Sequence, residues 1–226
     1  MTKSRGKEIK FYVNEKAGAV SGLLLAPTGA RALLLLAHGA GAGMRHRFME
    51  DLAAKLADQN VATLRYHFPY MEKHAKRPDP QSMLADTVRA AVAAAKKDAG
   101  ELPLFAGGKS MGGRMTSLAA VQQPLDGVRG LVFFGFPLHA AGRPGAERGQ
   151  HLTEIKIPML FLQGSRDALA ELKLLKPLCA KIKRAELFVV EGGDHSFHML
   201  KSAGRSDDEV LDEVAKKAGT WIAELI

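Results

Sequence analysis

Pro103-Leu104-Phe105-Ala106-Gly107-Gly108-Lys109-Ser110-Met111-Gly112-Gly113 is the stretch that decides the fold of this chain. An apolar run that reads as a buried strand ends in glycines, and a helical pattern follows from about Gly112 to Gln122. Between them, Gly108-Lys109-Ser110-Met111-Gly112 matches G-x-S-x-G, the turn that holds a serine in a strained conformation between a strand and a helix. Glycines two positions either side let strand and helix approach closely, which sets the Ser110 hydroxyl above the end of the strand. A phosphate-binding reading of Gly108-Lys109-Ser110 fails, because G-x-x-x-x-G-K-[ST] needs glycine where Pro103 stands.

Outward from this turn, strands alternate with helices. Glu8–Val13 and Val20–Ala26 read as two strands joined near Gly18. Ala32–Ala37 is a continuous apolar run, as expected of a strand buried on both faces. Phe48, Leu52 and Leu56 recur at helical spacing, and Val61–His67 is a strand. Asp79-Pro80 opens the next helix, with Asp79 as its N-cap and Leu84, Val88, Ala91, Val92 and Ala95 as its buried stripe. Val128–Gly135, Ile157–Gln163 and Ala185–Val190 are further strands, with a helix near Leu169–Lys183. Ser206 and Glu209 form a capping box for the last helix. The expected fold class is α/β: a mostly parallel central sheet of about seven or eight strands with helices on both faces, in one domain over residues 1–226.

In such sheets the functional site lies at the carboxyl ends of the strands. A serine nucleophile needs a base, and the base an orienting acid, in the chain order Ser, Asp/Glu, His. Asp167 follows one strand in Gln163-Gly164-Ser165-Arg166-Asp167, and His195 follows the next in Glu191-Gly192-Gly193-Asp194-His195. Taken singly, Asp167 reads as a helix cap and His195 as a loop histidine; their agreement with one topology points to catalysis. Asp194 is too close to His195 in sequence to orient its ring and reads as a turn residue. The backbone N–H groups of Met111 and Ala40 are the expected oxyanion donors, with Gly41 next, in the Gly-rich loop His38-Gly39-Ala40-Gly41. That loop is no dinucleotide fingerprint, since Met44 stands where glycine is needed. Candidate pocket residues are Gly41, Arg45, His67, Phe136 and Arg166.

The chain has 226 residues and a mass of 24.3 kDa, enough for a core that needs no staple. Its charge of +8 and pI near 9.6 come from dispersed basic residues, which fit a basic enzyme surface better than a nucleic-acid groove. Arg45, Arg166, Lys76 and Arg77 fall in segments that border the expected site and suggest an anionic acyl substrate. No metal set is expected, because His195 and His198 lack further ligands, and no cofactor is expected. Cys179, alone, reads as a packed thiol and excludes an internal disulfide. The polar stretch Met1–Lys10 has no apolar core, so neither a signal peptide nor a membrane span is expected. A cytoplasmic monomer or homodimer, without nucleic acid, is the expectation.

The sequence resembles the α/β-hydrolases, in particular the dienelactone-hydrolase-like branch. More narrowly it resembles the family of the third subunit of the NSL complex and a testis-expressed hydrolase-like protein. The stretches that carry the likeness are His38–Gly41 with Met44 and His46–Met49, Arg65–Glu72, Gly107–Arg114, Leu162–Asp167 and Glu191–Phe197. The likeness implies Ser110 as nucleophile, Asp167 as acid and His195 as base. His67 departs from it, standing where a small polar residue is expected. The short segment Pro137–Thr153 lies where larger relatives insert a cap, so a minimal or absent cap is expected. The activity implied is cleavage of an ester, thioester or lactone-type bond through an acyl-enzyme, with a binding or scaffold protein on a hydrolase fold as the alternative.

Overall fold

The computed structural model describes residues 6–98 and 100–226; the first five residues of the stretch Met1–Lys10 lie outside them. Eight strands form one sheet: β1 (Lys7–Asn14), β2 (Gly18–Leu25), β3 (Ala32–Ala37), β4 (Val61–Tyr66), β5 (Leu104–Lys109), β6 (Val128–Phe134), β7 (Met159–Gly164) and β8 (Ala185–Val190). Their order across the sheet is β1-β2-β4-β3-β5-β6-β7-β8. The hairpin β1–β2 and the pair β2–β4 are antiparallel, and every other pairing is parallel. The chain crosses from β3 outward to β4 and then back past β3 to β5. The carboxyl ends of β3 and β5 therefore flank the point where the strand order reverses, the place where a crevice opens in a sheet of this kind.

Helices cover both faces. α1 (Arg47–Asp58) and α6 (Asp207–Ala223) pack on one; α3 (Gln81–Asp98), α4 (Met111–Gln122) and α5 (Leu172–Lys181) pack on the other, while the short α2 (Pro69–Glu72) follows β4. The period of two along β3 divides the core. Leu33, Leu35 and Ala37 join the α3–α4–α5 side, whereas Ala32, Leu34 and Leu36 join the α1–α6 side. All six residues are buried, which is why the run carries no polar residue.

Several boundaries differ from the sequence reading. Asp79 does not sit next to the first helical residue: α3 begins at Gln81, and the Asp79 carboxylate accepts the Tyr70 N–H at 2.7 Å, tying down α2 instead. Leu169 lies outside α5, since its N–H donates to Asp167 and its carbonyl accepts from His139 N–H. Ser206 and Glu209 make both bonds of the capping box on α6. The segment Pro137–Thr153 forms a loop and most of a 3₁₀ helix, Glu147–Glu154. Its Leu138 and Leu152 are buried in the α3–α4–α5 core, so it packs down beside the sheet and builds no separate cap.

Candidate active site

Ser110 sits between β5 and α4 with φ +52° and ψ −118°, a conformation that side chains rarely adopt. The local sequence makes it possible. A Cβ on Gly108 would lie 2.3 Å from the Ala37 carbonyl oxygen, and one on Gly112 would lie 2.4 Å from the same atom. Only glycine at both positions lets the turn close against β3.

The structure brings Ser110, His195 and Asp167 into one hydrogen-bonded line. His195 Nδ1 donates to Asp167 Oδ2 at 2.7 Å, which fixes the tautomer. Nε2 is then the acceptor for the Ser110 hydroxyl at 2.8 Å. The Asp167 side chain is fully buried, whereas His195 keeps 23% of its side-chain surface exposed. Two further donors hold the carboxylate: Leu169 N–H reaches Oδ1 at 2.7 Å, and Gln163 Nε2 bonds Oδ2. Gln163 Oε1 accepts the Phe136 N–H at 2.9 Å, so this buried amide links the loop after β6 to Asp167. Asp194 does what its position suggests: Oδ1 accepts the N–H groups of Ser196 and His198, shaping the turn that carries His195.

Met111 N–H opens α4, where no intrahelical acceptor exists for it. Gly39 lies beside Ser110, since a Cβ placed on it would be 3.7 Å from Ser110 Cβ, and Ala40 lines the same cavity. Among the described residues no backbone carbonyl accepts the Ala40 N–H. Gly41 is excluded as a donor to substrate, because its N–H donates to Tyr70 Oη at 3.0 Å. Arg65 holds the Met44 carbonyl at 3.1 Å and fixes the other end of this loop.

A cavity of about 300 Å³ opens beside Ser110, lined by apolar surface from Ala40, Ala42, Phe48, Met49 and Leu169, with Lys109 and His46 as polar members. None of the five predicted pocket residues lines it. Gly41 is turned toward Tyr70. Arg45 reaches back to pair with Glu8 on β1. His67 is half-buried, with Nδ1 accepting the Met44 N–H at 3.4 Å. The Phe136 ring is buried against Phe133 and Phe161. Arg166 is exposed and donates to the Gly192 carbonyl at 2.8 Å. Lys76 and Arg77 are exposed and absent from the lining. The sequence gives no site role to Gln163, Lys109, Phe48 or Met49. A polar residue ending the apolar run Met159–Leu162 was the one signal for Gln163.

The other candidates separate cleanly. His38 is fully buried: Nδ1 donates to the Gly39 carbonyl at 2.7 Å, and Nε2 accepts the Phe68 N–H at 3.2 Å. Burial pushes its pKa down to about 4. His151 is likewise pushed down to about 4, by burial and the nearby Arg114, and bonds Ser117. Burial pushes the Cys179 thiol up to about 12, as befits a packed side chain. Among the described residues no three His, Cys, Asp or Glu side chains cluster to hold a metal ion.

Residues 30–223 match the model of the alpha/beta hydrolase domain. The chain belongs to this α/β-hydrolase family. Membership places it among the α/β-hydrolase enzymes, and the likeness to a dienelactone hydrolase extends to the whole fold. A dienelactone hydrolase from Anabaena variabilis is 22% identical, with a TM-score of 0.77 over 98% of this chain and 99% of that one. An alpha-beta serine hydrolase homologue from Coxiella burnetii is 20% identical, with a TM-score of 0.74 over 93% of this chain and 96% of that one. A serine hydrolase without lid from Xanthomonas campestris is 16% identical, with a TM-score of 0.73 over 96% and 95%. At these identities the likeness is one of fold. No helix among the described residues is long and apolar enough to cross a membrane.

Proposed function

We propose that this chain, as one hydrolase domain, cleaves a small carboxylic ester, thioester or lactone through an acyl-enzyme on Ser110. One observation carries this reading: the Asp167–His195–Ser110 line, with bonds of 2.7 and 2.8 Å, ends at the mouth of a partly apolar cavity. His195 Nε2 takes the Ser110 proton as Oγ attacks the acyl carbon. The oxyanion that develops falls to the Met111 and Ala40 N–H groups, neither of which gives its proton to a backbone carbonyl among the described residues. His195 returns the proton to the leaving oxygen or sulfur, then activates a water that releases the acid. Asp167 stays an acceptor throughout, holding the ring and stabilising its charged form.

Within that reading the enzyme belongs to the dienelactone-hydrolase-like branch, near the NSL-subunit and testis-expressed relatives whose motif stretches it shares. It acts in the cytoplasm as a monomer or homodimer. An anionic acyl group suits the cavity for one reason: Lys109 is the lysine or arginine in its lining. A fluorophosphonate probe tests the central step. Ser110 is expected to be labelled in the wild-type protein and no residue in Ser110→Ala. An unlabelled wild type would leave a binding protein on a hydrolase fold.

A further inference from the structure

Lys109, the residue just before the serine, is a buried ammonium that the proposed chemistry leaves unused. It is 7% exposed. Its Nζ donates to the His195 carbonyl oxygen at 2.6 Å and lies 5.7 Å from the centre of the Phe48 ring. A lysine this deep normally sits against a carboxylate. Here Asp167 and Asp194 act on it without forming an ion pair, and the direct partner is a main-chain carbonyl. That carbonyl receives no backbone N–H among the described residues. The His195 ring is held by Ser110 and Asp167 and the turn that follows by Asp194, while Lys109 is the side chain that holds the His195 carbonyl itself. Gly135 makes room for the contact. It has φ +68°, and a Cβ there would lie 2.8 Å from the His195 oxygen and 3.0 Å from Lys109 Nζ.

We propose that Lys109 is a positioning residue: its ammonium clamps the backbone of His195 to the strand that carries Ser110, and hydrolysis requires the charged clamp. This rests on the reading of Ser110 and His195 as nucleophile and base. A charge-assisted bond of this length is stronger than a neutral one, and a displacement of about 1 Å at a reacting group can cost about 100-fold in rate. The groups acting on or touching Nζ are Asp167 after β7, Asp194 and the His195 carbonyl after β8, and the Phe48 ring at the head of α1, while Ser110, the His195 ring and His46 line the same cavity as Lys109. Burial pushes the ammonium down to about 8, against the pull of Asp167 and Asp194. The clamp is therefore charged at neutral pH and loses its charge as pH rises through that value.

The test measures kcat and KM for an uncharged short-chain ester from about pH 6 to about pH 10. The proteins compared are wild type, Lys109→Met and Gly135→Ala, with fluorophosphonate labelling and a thermal melt of each. Wild-type kcat is expected to fall on the alkaline side with a midpoint near 8, with KM little changed. Lys109→Met is expected to lower kcat about 100-fold, to lose the alkaline limb and to melt no earlier, since methionine has no charge to desolvate. If Lys109→Met does not fold, Gly135→Ala breaks the clamp with the lysine intact and is expected to lower kcat in the same way. A folded Lys109→Met with kcat within about threefold of wild type, or a slow one that keeps the alkaline limb, overturns the clamp. Failure of the wild type to label at Ser110 overturns the hydrolase reading itself. Normal labelling in both wild type and Lys109→Met overturns the clamp alone.

Discussion

The loops after β3 and β8 each carry a histidine with both ring nitrogens engaged, and the two rings could hardly differ more in consequence. His38 is fully buried and bonds only main-chain groups, the Gly39 carbonyl and the Phe68 N–H. His195 is partly exposed and bonds two side chains, a carboxylate and a hydroxyl. A backbone partner has a fixed protonation state, so His38 can only brace the loop. A hydroxyl partner has a proton to give, and the cavity beside it admits a molecule to receive the oxygen. Two satisfied nitrogens therefore say nothing about function until the partners are named.

The largest expected effect is at the hydroxyl. Ser110→Ala should remove about 10⁶ of kcat in an ester assay while the melting temperature stays unchanged. Next comes the acid. Asp167→Asn should lose about 10⁴, because an amide favours the wrong tautomer of His195. Asp194→Asn should lose less than about tenfold, since its role is to hold two loop N–H groups. Equal losses would mean that the orienting acid has been misassigned.

The bracing histidine should behave in the opposite sense. His38→Leu strands the buried Phe68 N–H and should cost about 1–3 kcal/mol in a denaturant titration, with kcat within about tenfold of wild type. pH sharpens the contrast. The folded state keeps His38 neutral down to about 4, whereas the unfolded chain takes up the proton near 6.5. Above 6.5 both states are neutral and the full stability is present. As pH falls from 6.5 to about 4 the unfolded state binds more protons, and this one group should withdraw about 3 kcal/mol. A His38→Gln variant should show a shallower acid decline in its melting temperature.

The smallest effect concerns substrate charge. With Arg45 paired to Glu8 and Arg166 bonded to Gly192, the positive potential at the cavity rests mainly on Lys109. An anionic ester should exceed a matched neutral one in kcat/KM by about threefold at low salt, and the advantage should shrink as salt rises. No difference at low salt would remove the anionic preference.

Much of this was legible in the chain itself. A six-residue apolar run bounded by turn residues is what a strand covered on both faces looks like, and Ala32–Ala37 is one. A serine between close-packing glycines, set between a strand and a helix, fits a turn of this kind, and the order of Ser110, Asp167 and His195 named the strand ends to search. These are local constraints: period, backbone freedom and chain order are written in neighbouring residues. The tertiary structure alone decided which polar groups meet. The sequence does not show that the Gly41 N–H is taken by a tyrosine 29 residues on, or that Arg45 turns back to the first strand. It does not show that Gln163 braces Asp167, or that Lys109 reaches a carbonyl 86 residues away. Such contacts depend on the direction of each side chain once the sheet has twisted and the loops have closed, and direction is a property of packing that residue spacing does not encode.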